Sequence, residues 1–294
     1  MRDSVRSARH ILVRNGCISL FRHRIVVRLT SESRLIACRA QNKCTSPLRA
    51  QAKLPKYDKK ILWVSVPMYD EAEFRRAVAN RPIRVVGDVH GDLEAFRHAV
   101  ATDRFIIQLG DLVDYGPESA GTLRLMADIV QKGRGLFLLG NHDRKLGRAL
   151  MGRKLRRDGP LEATINQLFE PHNADVLEMA LPLLRQTPTW LKLGRRLFVH
   201  AAFHTGMLGE SSPPGLENVS PLLSRALFGE VTGRTQNDGY PERRLNWVDH
   251  IPAGHTVYCG HDRRSTDGRP WVKHGRNGGV AVFVDTGAGK GGHL

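Results

Sequence analysis

The stretch Gly110-Asp111-Leu112-Val113-Asp114-Tyr115-Gly116-Pro117 follows directly on the apolar run Phe105–Leu109. A run of that length, aromatic and β-branched, reads as a buried strand. It gives way to two carboxylates three residues apart and then to a sharp Gly-Pro turn. A buried carboxylate is costly unless it is paired or coordinates a metal. The pattern recurs. Ile83–Val86 is followed by Gly87-Asp88-Val89-His90-Gly91-Asp92, and Leu136–Leu139 by Gly140-Asn141-His142-Asp143. Leu197–Val199 is followed by His200, and Val257–Tyr258 by Cys259-Gly260-His261-Asp262. Five strands thus end in Asp, Asn or His, four of them through a glycine that permits a tight turn. A sixth run, Val280–Val284, leads to Asp285.

Helical patterns lie between these runs. They are Leu93–Val100, Glu118–Gln131 with Pro117 suited to its first turn, Leu161–Phe169, and Val176–Leu184, which Pro182 is expected to kink or end. Asp92 is expected to cap the helix from Leu93, and Asp114 is a second capping candidate. Strands alternating with helices define an α/β fold. Residues 144–190 read as a helical insertion. Residues 205–250, rich in Gly, Pro and Ser, read as long loops over one face. The last two strands have little helix between them and are expected to be more antiparallel. In open α/β sheets ligands bind beyond the carboxyl ends of the strands, so the five motifs can converge on one point.

With 294 residues, 41% of them hydrophobic, the chain can bury a substantial core. A net charge of +16 suggests nucleic acid or an acidic membrane. Its distribution argues otherwise: residues 1–60 hold ten Arg and five Lys against Asp3, Glu32 and Asp58, leaving 61–294 only four more bases than acids. Nucleic acid is therefore not favoured as the main domain's partner. No apolar stretch approaches the roughly 18 residues of a membrane span, so no membrane partner is expected. Cys17, Cys38, Cys44 and Cys259 have no C-x-x-C or framework spacing, which points to a reducing, cytoplasmic setting. Residues 1–67 read as a basic tail, disordered or translated ahead of the true start, with a transit peptide and an RNA- or lipid-binding arm as alternatives. Residues 68–294 form the functional domain.

Asp88, His90, Asp111, Asn141, His200 and His261 offer carboxylate and amide oxygen and imidazole nitrogen. Such a set suits Mn²⁺, Fe or Zn²⁺ and excludes an iron–sulfur cluster. Six ligands exceed what one catalytic ion needs. They suit two ions about 3.5–4 Å apart that share a carboxylate, for which Asp111 is the natural bridge.

GDVHG, GDLVDYGP, GNHD, VHAAFH and CGHD, in this order, resemble the calcineurin-like metallophosphoesterases. The branch is the PPP type shared by bacterial serine/threonine phosphatases and diadenosine tetraphosphatases, and the ending from Asp285 to Leu294 is similar to that branch's DTG…GG…L. The likeness spans about residues 82–294. It implies a four-layer α-β-β-α sandwich and hydrolysis of phosphomonoesters by a hydroxide that two divalent ions, Mn²⁺ by preference, activate. By position, Asp88, His90 and Asp111 hold one ion and Asp111, Asn141, His200 and His261 the other. His142 is the general acid and Asp114 orients it. The implied partner is a phosphorylated substrate, a phosphoprotein first, a dinucleoside tetraphosphate second, phosphate-ended RNA third. A non-catalytic binder working through the basic tail is the alternative of another class.

The sequence departs from that branch in places. Tyr115 stands where GDxVDRG has Arg, so it offers one hydrogen bond and neither charge nor fork. Tyr115 itself and Arg144 are the substrate-binding candidates, with Arg225, Arg234 and Arg263 as further cations. GNHD in place of the protein-phosphatase GNHE leans toward the bacterial and nucleotide-cleaving members. VHAA in place of VHGG adds two methyl groups beside the site. His204 rivals His200. Asp143 reads as a neighbour of the ligands or a solvated residue, Asp285 as structural or supporting, and Cys259 as a small buried residue.

Overall fold

The computed structural model describes residues 71–156, 158–217, 220–236, 239–265 and 267–294, together with three N-terminal strands. The chain divides into two compact units, Met1–Ile61 and Leu62–Leu294. In the first, β1 (Ile11–Val13), β2 (Gly16–Phe21) and β3 (Arg24–Val27) pair antiparallel in that order. The expectation of a disordered tail falls largely on residues outside the described ones.

The second unit opens with α1 (Glu71–Val78) and then alternates: β4 (Ile83–Val86), α2 (Leu93–Val100), β5 (Phe105–Gln108), α3 (Ser119–Gln131) and β6 (Gly135–Phe137). Three helices follow, α4 (Asn141–Leu150), α5 (Gly159–Leu168) and α6 (Ala174–Gln186). The chain then returns to strands with β7 (Trp190–Leu193) and β8 (Arg196–Val199). After α7 (Pro221–Phe228) come the hairpin β9 (Val231–Thr235) and β10 (Pro241–Arg243), then β11 (Thr256–Cys259), β12 (Trp271–His274) and β13 (Val280–Phe283).

Two sheets result. One is parallel, β4-β5-β6, and the other is β12-β13-β11-β8-β7, in which β8, β11 and β13 are parallel. Side-chain alternation along the strands stacks them. On β5, Phe105 and Ile107 join Phe74 of α1, Leu191 of β7 and Phe198 of β8 in one apolar cluster, which lies between the sheets. Ile106 points the other way, into the cluster built by α2 to α6. On β8, Leu197 and Val199 turn away from Phe198 into a third cluster with Ala226 of α7 and Trp247, Val248 and Ile251. The order is helices, sheet, sheet, outer cover: the four-layer sandwich. The second outer layer is thin, one short helix and the 3₁₀ turn Asn246–His250.

Several local expectations need correction. Residues 205–250 are not only loop: they hold α7 and the β9–β10 hairpin. Ser220 caps α7, accepting from Leu223 N at 3.0 Å, with Pro221 in its first turn. The runs Val257–Tyr258 and Val280–Val284 lie in strands that pair parallel, and the antiparallel members are β12 and β7. Strand β7 begins at the end of the segment read as helical. Helix α6 continues through Pro182 to Gln186. Asp92 does cap α2, accepting from Ala95 N at 3.0 Å. Asp114 caps nothing, since α3 begins at Ser119 after Glu118. Among the described residues no helix is long and apolar enough to cross a membrane.

Candidate metal centre

Parallel register puts the carboxyl ends of β4, β5 and β6 along one edge, and those of β8, β11 and β13 along one edge of the other sheet. The two edges meet. Gly260, which follows β11, shows how closely: a Cβ on it would lie 2.3 Å from Oδ1 of Asp88, which follows β4, and within the parallel sheet a Cβ on Gly140 would lie 2.2 Å from Asp111 Oδ1. Only glycine fits either position. The turns are also strained. Of the seven non-glycine residues with positive φ among the described residues, five are His90, Asp111, Asp114, Tyr115 and His261. Such conformations persist only where surroundings impose them, and they gather at functional sites.

The structure brings all six candidate ligands together. Ligand atoms of Asp88, His90 and Asp111 lie within 4.8 Å of one another, as do those of Asp111, His200 and His261, so Asp111 belongs to both groups. Asn141 Oδ1 is 3.0 Å from His200 Nε2. Two histidines are oriented from behind. His90 Nδ1 faces the Val113 carbonyl at 3.0 Å, and His200 Nδ1 the Leu109 carbonyl at 2.8 Å. Each therefore donates through Nδ1 and turns a lone pair on Nε2 inward, the arrangement that metal-ligating histidines use. His90 Nε2 is buried without a hydrogen-bond partner, 3.7 Å from Asp88 and 3.8 Å from Asp111. His261 Nε2 is likewise buried and unpartnered, while its Nδ1 faces His200 Nε2 at 3.1 Å. Two buried imidazole nitrogens without a partner, set beside carboxylates, are what a bound cation would satisfy.

The charge balance says the same. Every buried carboxylate among the described residues, Asp88, Asp111, Asp114, Asp143 and Asp285, belongs to this region. Burial and the Asp285 carboxylate push Asp88 well above its ordinary pKa. Burial would do so for Asp111 as well, but His200 and His142 hold it far below. Burial takes His90 down to about 3, whereas for His200 it is outweighed by Asp111 and the group is pushed up to about 9. Cations seated between these groups would relieve both the repulsion and the orphaned nitrogens. The residues thus fit a pair of divalent ions, with Asp88, His90 and Asp111 on one side and Asp111, Asn141, His200 and His261 on the other.

Beside the cluster, His142 Nδ1 is 2.6 Å from Asp114 Oδ2. Burial would lower His142, but Asp111 and the Asp114 hydrogen bond outweigh it and raise its pKa. His142 N also donates to Asp111 Oδ1 at 2.9 Å. His204, the rival of His200, is exposed and accepts from Gly206 N at 3.1 Å. Tyr115 is 46% exposed, with its ring 4.9 Å from that of His90 and 5.3 Å from that of His142. Arg144 is buried in α4 and donates from Nε to the Gly215 carbonyl at 2.8 Å, and Arg225 pairs with Glu230. Cys259 is a buried thiol, as expected.

Three organisers stand behind the ligands; Asp143 reads from sequence as a neighbour of the ligands or a solvated residue, and the other two escape that reading. Asp143 is fully buried and accepts from three backbone N–H groups, those of Asp111 at 2.7 Å, Leu112 at 2.9 Å and Gly140 at 3.1 Å, so it pins the β5 and β6 turns together. Gln108, at the end of β5, donates from Nε2 to the carbonyls of Gly87 and Gly110 and accepts from Gly110 N, tying the first two motifs. Thr164 of α5 donates to Asp114 Oδ1 at 2.7 Å. A polar residue on the apolar face Leu161–Leu168 was the available signal for Thr164, as was a lone Gln closing an otherwise apolar strand for Gln108.

A cleft runs from His261 and Asp285 to Tyr240, Arg243, Arg263 and Lys290. It is bounded by the β9–β10 hairpin and the C-terminal loop, and its lining holds three cations and the Tyr240 ring beside the carboxylates of Asp262 and Asp285.

The fold and this cluster define a metallophosphoesterase, and the chain belongs to the calcineurin-like phosphoesterase family, whose model matches residues 81–259. Among its relatives is the bis(5'-nucleosyl)-tetraphosphatase (asymmetrical) PrpE of Halalkalibacterium halodurans, 28% identical over 71% of this chain and 87% of the relative. The PrpE of Bacillus velezensis is 30% identical over 63% and 70% of the two chains. A solved serine/threonine phosphatase from Saccharomyces cerevisiae superposes with a TM-score of 0.47 and 13% identity over 71% of this chain and 69% of that one.

Proposed function

We propose that this phosphoesterase hydrolyses dinucleoside polyphosphates at a two-metal centre. The observation that carries the reading is the cleft: beside His261 and Asp285 it is lined by Arg243, Arg263, Lys290 and Tyr240, which is 43% exposed. Three cations and an aromatic ring lining one cleft suit a phosphate chain that ends in a nucleoside. The tetraphosphatase relatives support the same substrate class. The phosphoprotein reading, first in the sequence analysis, ranks behind it, because a single phosphorylated side chain would leave the cleft unused.

When bound, divalent ions supply Lewis acidity toward phosphate and lower the pKa of water; Mn²⁺ is the ion we favour. The protein's own part follows from the contacts. Asp111 and Asp88 hold negative charge where cations must sit. Val113 and Leu109 carbonyls fix the tautomers of His90 and His200. Asp114 keeps Nδ1 of His142 protonated, which leaves Nε2 to carry a second proton to the leaving oxygen.

Turnover of diadenosine tetraphosphate, phosphopeptides and phosphate-ended RNA, measured side by side with Mn²⁺, tests the proposal. Diadenosine tetraphosphate is expected to give the highest kcat/KM. A phosphopeptide or RNA end turned over faster would replace this substrate assignment, and no turnover of any would remove the enzymatic reading.

A further inference from the structure

Lys290 stands at the tip of the C-terminal loop, and its Nζ lies 4.3 Å from the centroid of the Tyr115 ring and 5.7 Å from that of Tyr240. Among the described residues it forms no ion pair. The Tyr115 ring is in turn edge-on to His90 at 4.9 Å. One aromatic ring therefore separates this ammonium from the metal cluster. Its charge also reaches inward: it acts on His90, His142 and Asp285.

The loop that carries it is pre-formed. Lys290 N and Gly292 N both donate to the Gly287 carbonyl, at 3.1 and 2.9 Å, and His293 N donates to Thr286 O at 3.1 Å. Gly287 N donates to Asp285 Oδ1 at 3.0 Å, which anchors the loop to the end of β13. Beside it, a Cβ on Gly289 would lie 2.3 Å from the His90 carbonyl oxygen, so the loop rests directly on the His90 turn. Two tyrosine faces and a closed loop thus hold one cation at the mouth of the site, on the wall that His261 shares.

We infer that Lys290 is the phosphate-binding cation of this active site, contacting a substrate phosphoryl oxygen from the Tyr115 side. The inference rests on the proposed phosphoesterase reading. An ammonium on aromatic faces keeps its charge available, because the rings attract it without neutralising it. It meets phosphate as a point charge and not as a planar fork. The side chain is a substrate-binding residue that stabilises charge on the transferred group, and it takes no part in proton transfer.

The test uses the full chain loaded with Mn²⁺. Turnover of diadenosine tetraphosphate by the unaltered protein comes first; its absence would overturn the underlying reading and this inference with it, before any variant is made. Given turnover, K290M is expected to raise KM and to weaken inhibition by inorganic phosphate about tenfold or more, the usual size for a lost charge-assisted hydrogen bond. Mn²⁺ content and Tm are expected to stay unchanged, and K290R to restore most of the phosphate inhibition. Unchanged KM and phosphate inhibition in K290M would overturn the inference alone and leave the metal centre standing. So would a K290M that loses Mn²⁺ or Tm while K290R fails to recover phosphate inhibition, since that pattern marks a structural lysine.

Discussion

At the scale of single residues, the site is a chain of dependence that starts outside it. Thr164 donates to Asp114 Oδ1 and Asp114 Oδ2 holds His142 Nδ1, and in the proposed mechanism His142 is the one of the three that faces the reacting group. His142→Ala is expected to lower kcat by about 10²–10⁴-fold, the usual contribution of a positioned acid, with metal content intact. Thr164→Val removes one of the hydrogen bonds to a fully buried carboxylate. It is expected to lower kcat by a smaller factor and to cost about 1–3 kcal/mol of stability, as an unsatisfied buried group does. Steady-state kinetics, metal analysis and thermal melts on both variants check this; a Thr164→Val kcat loss equal to that of His142→Ala would break the proposed order. Sequence made the ends of this chain legible and hid its beginning. His142 and Asp114 sit in motifs whose residue types have few structural explanations, whereas Thr164 lies on a helix from another part of the chain, 50 residues from Asp114. Contacts across such separations leave no spacing to read. Asp143 was legible as one of two alternatives, because it stands beside the ligands; that it turns its oxygens to three backbone N–H groups is what no sequence pattern displays.

At the scale of elements, the strands that end in motifs were the readable ones, because apolar runs stopped by Gly-Asp or Gly-His carry both a length and a terminus. Strand β7 and the β9–β10 hairpin lack that punctuation. The first follows a long helical stretch, and the second is short, polar and exposed, so periodicity gives little signal. Direction was misread for β11 and β13 because the chain between them is filled by strand β12 and not by a helix, although the two still run parallel. What makes the motif strands a site is the closeness of their turns. Gly260→Ala is expected to displace the Asp88 carboxylate, whose Oδ1 lies 2.3 Å from the added carbon and also accepts from His261 N at 2.9 Å. Metal affinity, read by titration against a competing chelator, is expected to fall at least tenfold, the scale on which loss of ligand orientation acts. Gly159→Ala, in the first turn of α5 with nothing within 4 Å of the new carbon, is the matched control. It is expected to leave affinity unchanged and stability equal or higher by about 0.4–1 kcal/mol.

At the scale of the whole unit, the metal centre is also a joint between the two sheets. Asp88, His90, Asp111 and Asn141 follow strands of the parallel sheet, whereas His200 and His261 follow strands of the mixed one. The apolar layer between the sheets, with Phe74, Phe105, Ile107, Leu191 and Phe198, stops where these turns begin, and the edge beyond it is held by polar groups and buried charge. Without cations, that edge brings buried carboxylates near one another and leaves two imidazole nitrogens unpartnered. Divalent ions bound there would do structural work as well as chemical work, because a ligand that binds the folded state alone stabilises it by mass action, about 2.7 kcal/mol at a hundredfold excess over Kd. Stripping with a chelator is expected to abolish turnover and lower Tm by several degrees, and Mn²⁺ to restore both together. In Asn141→Ala, which loses a ligand oxygen without disturbing the apolar layer, the Mn²⁺-induced rise in Tm is expected to shrink along with activity. A protein whose melting is indifferent to chelator and to Mn²⁺ would hold its two sheets together by packing alone, and the six side chains would then have to be explained as a polar network and not as a metal centre.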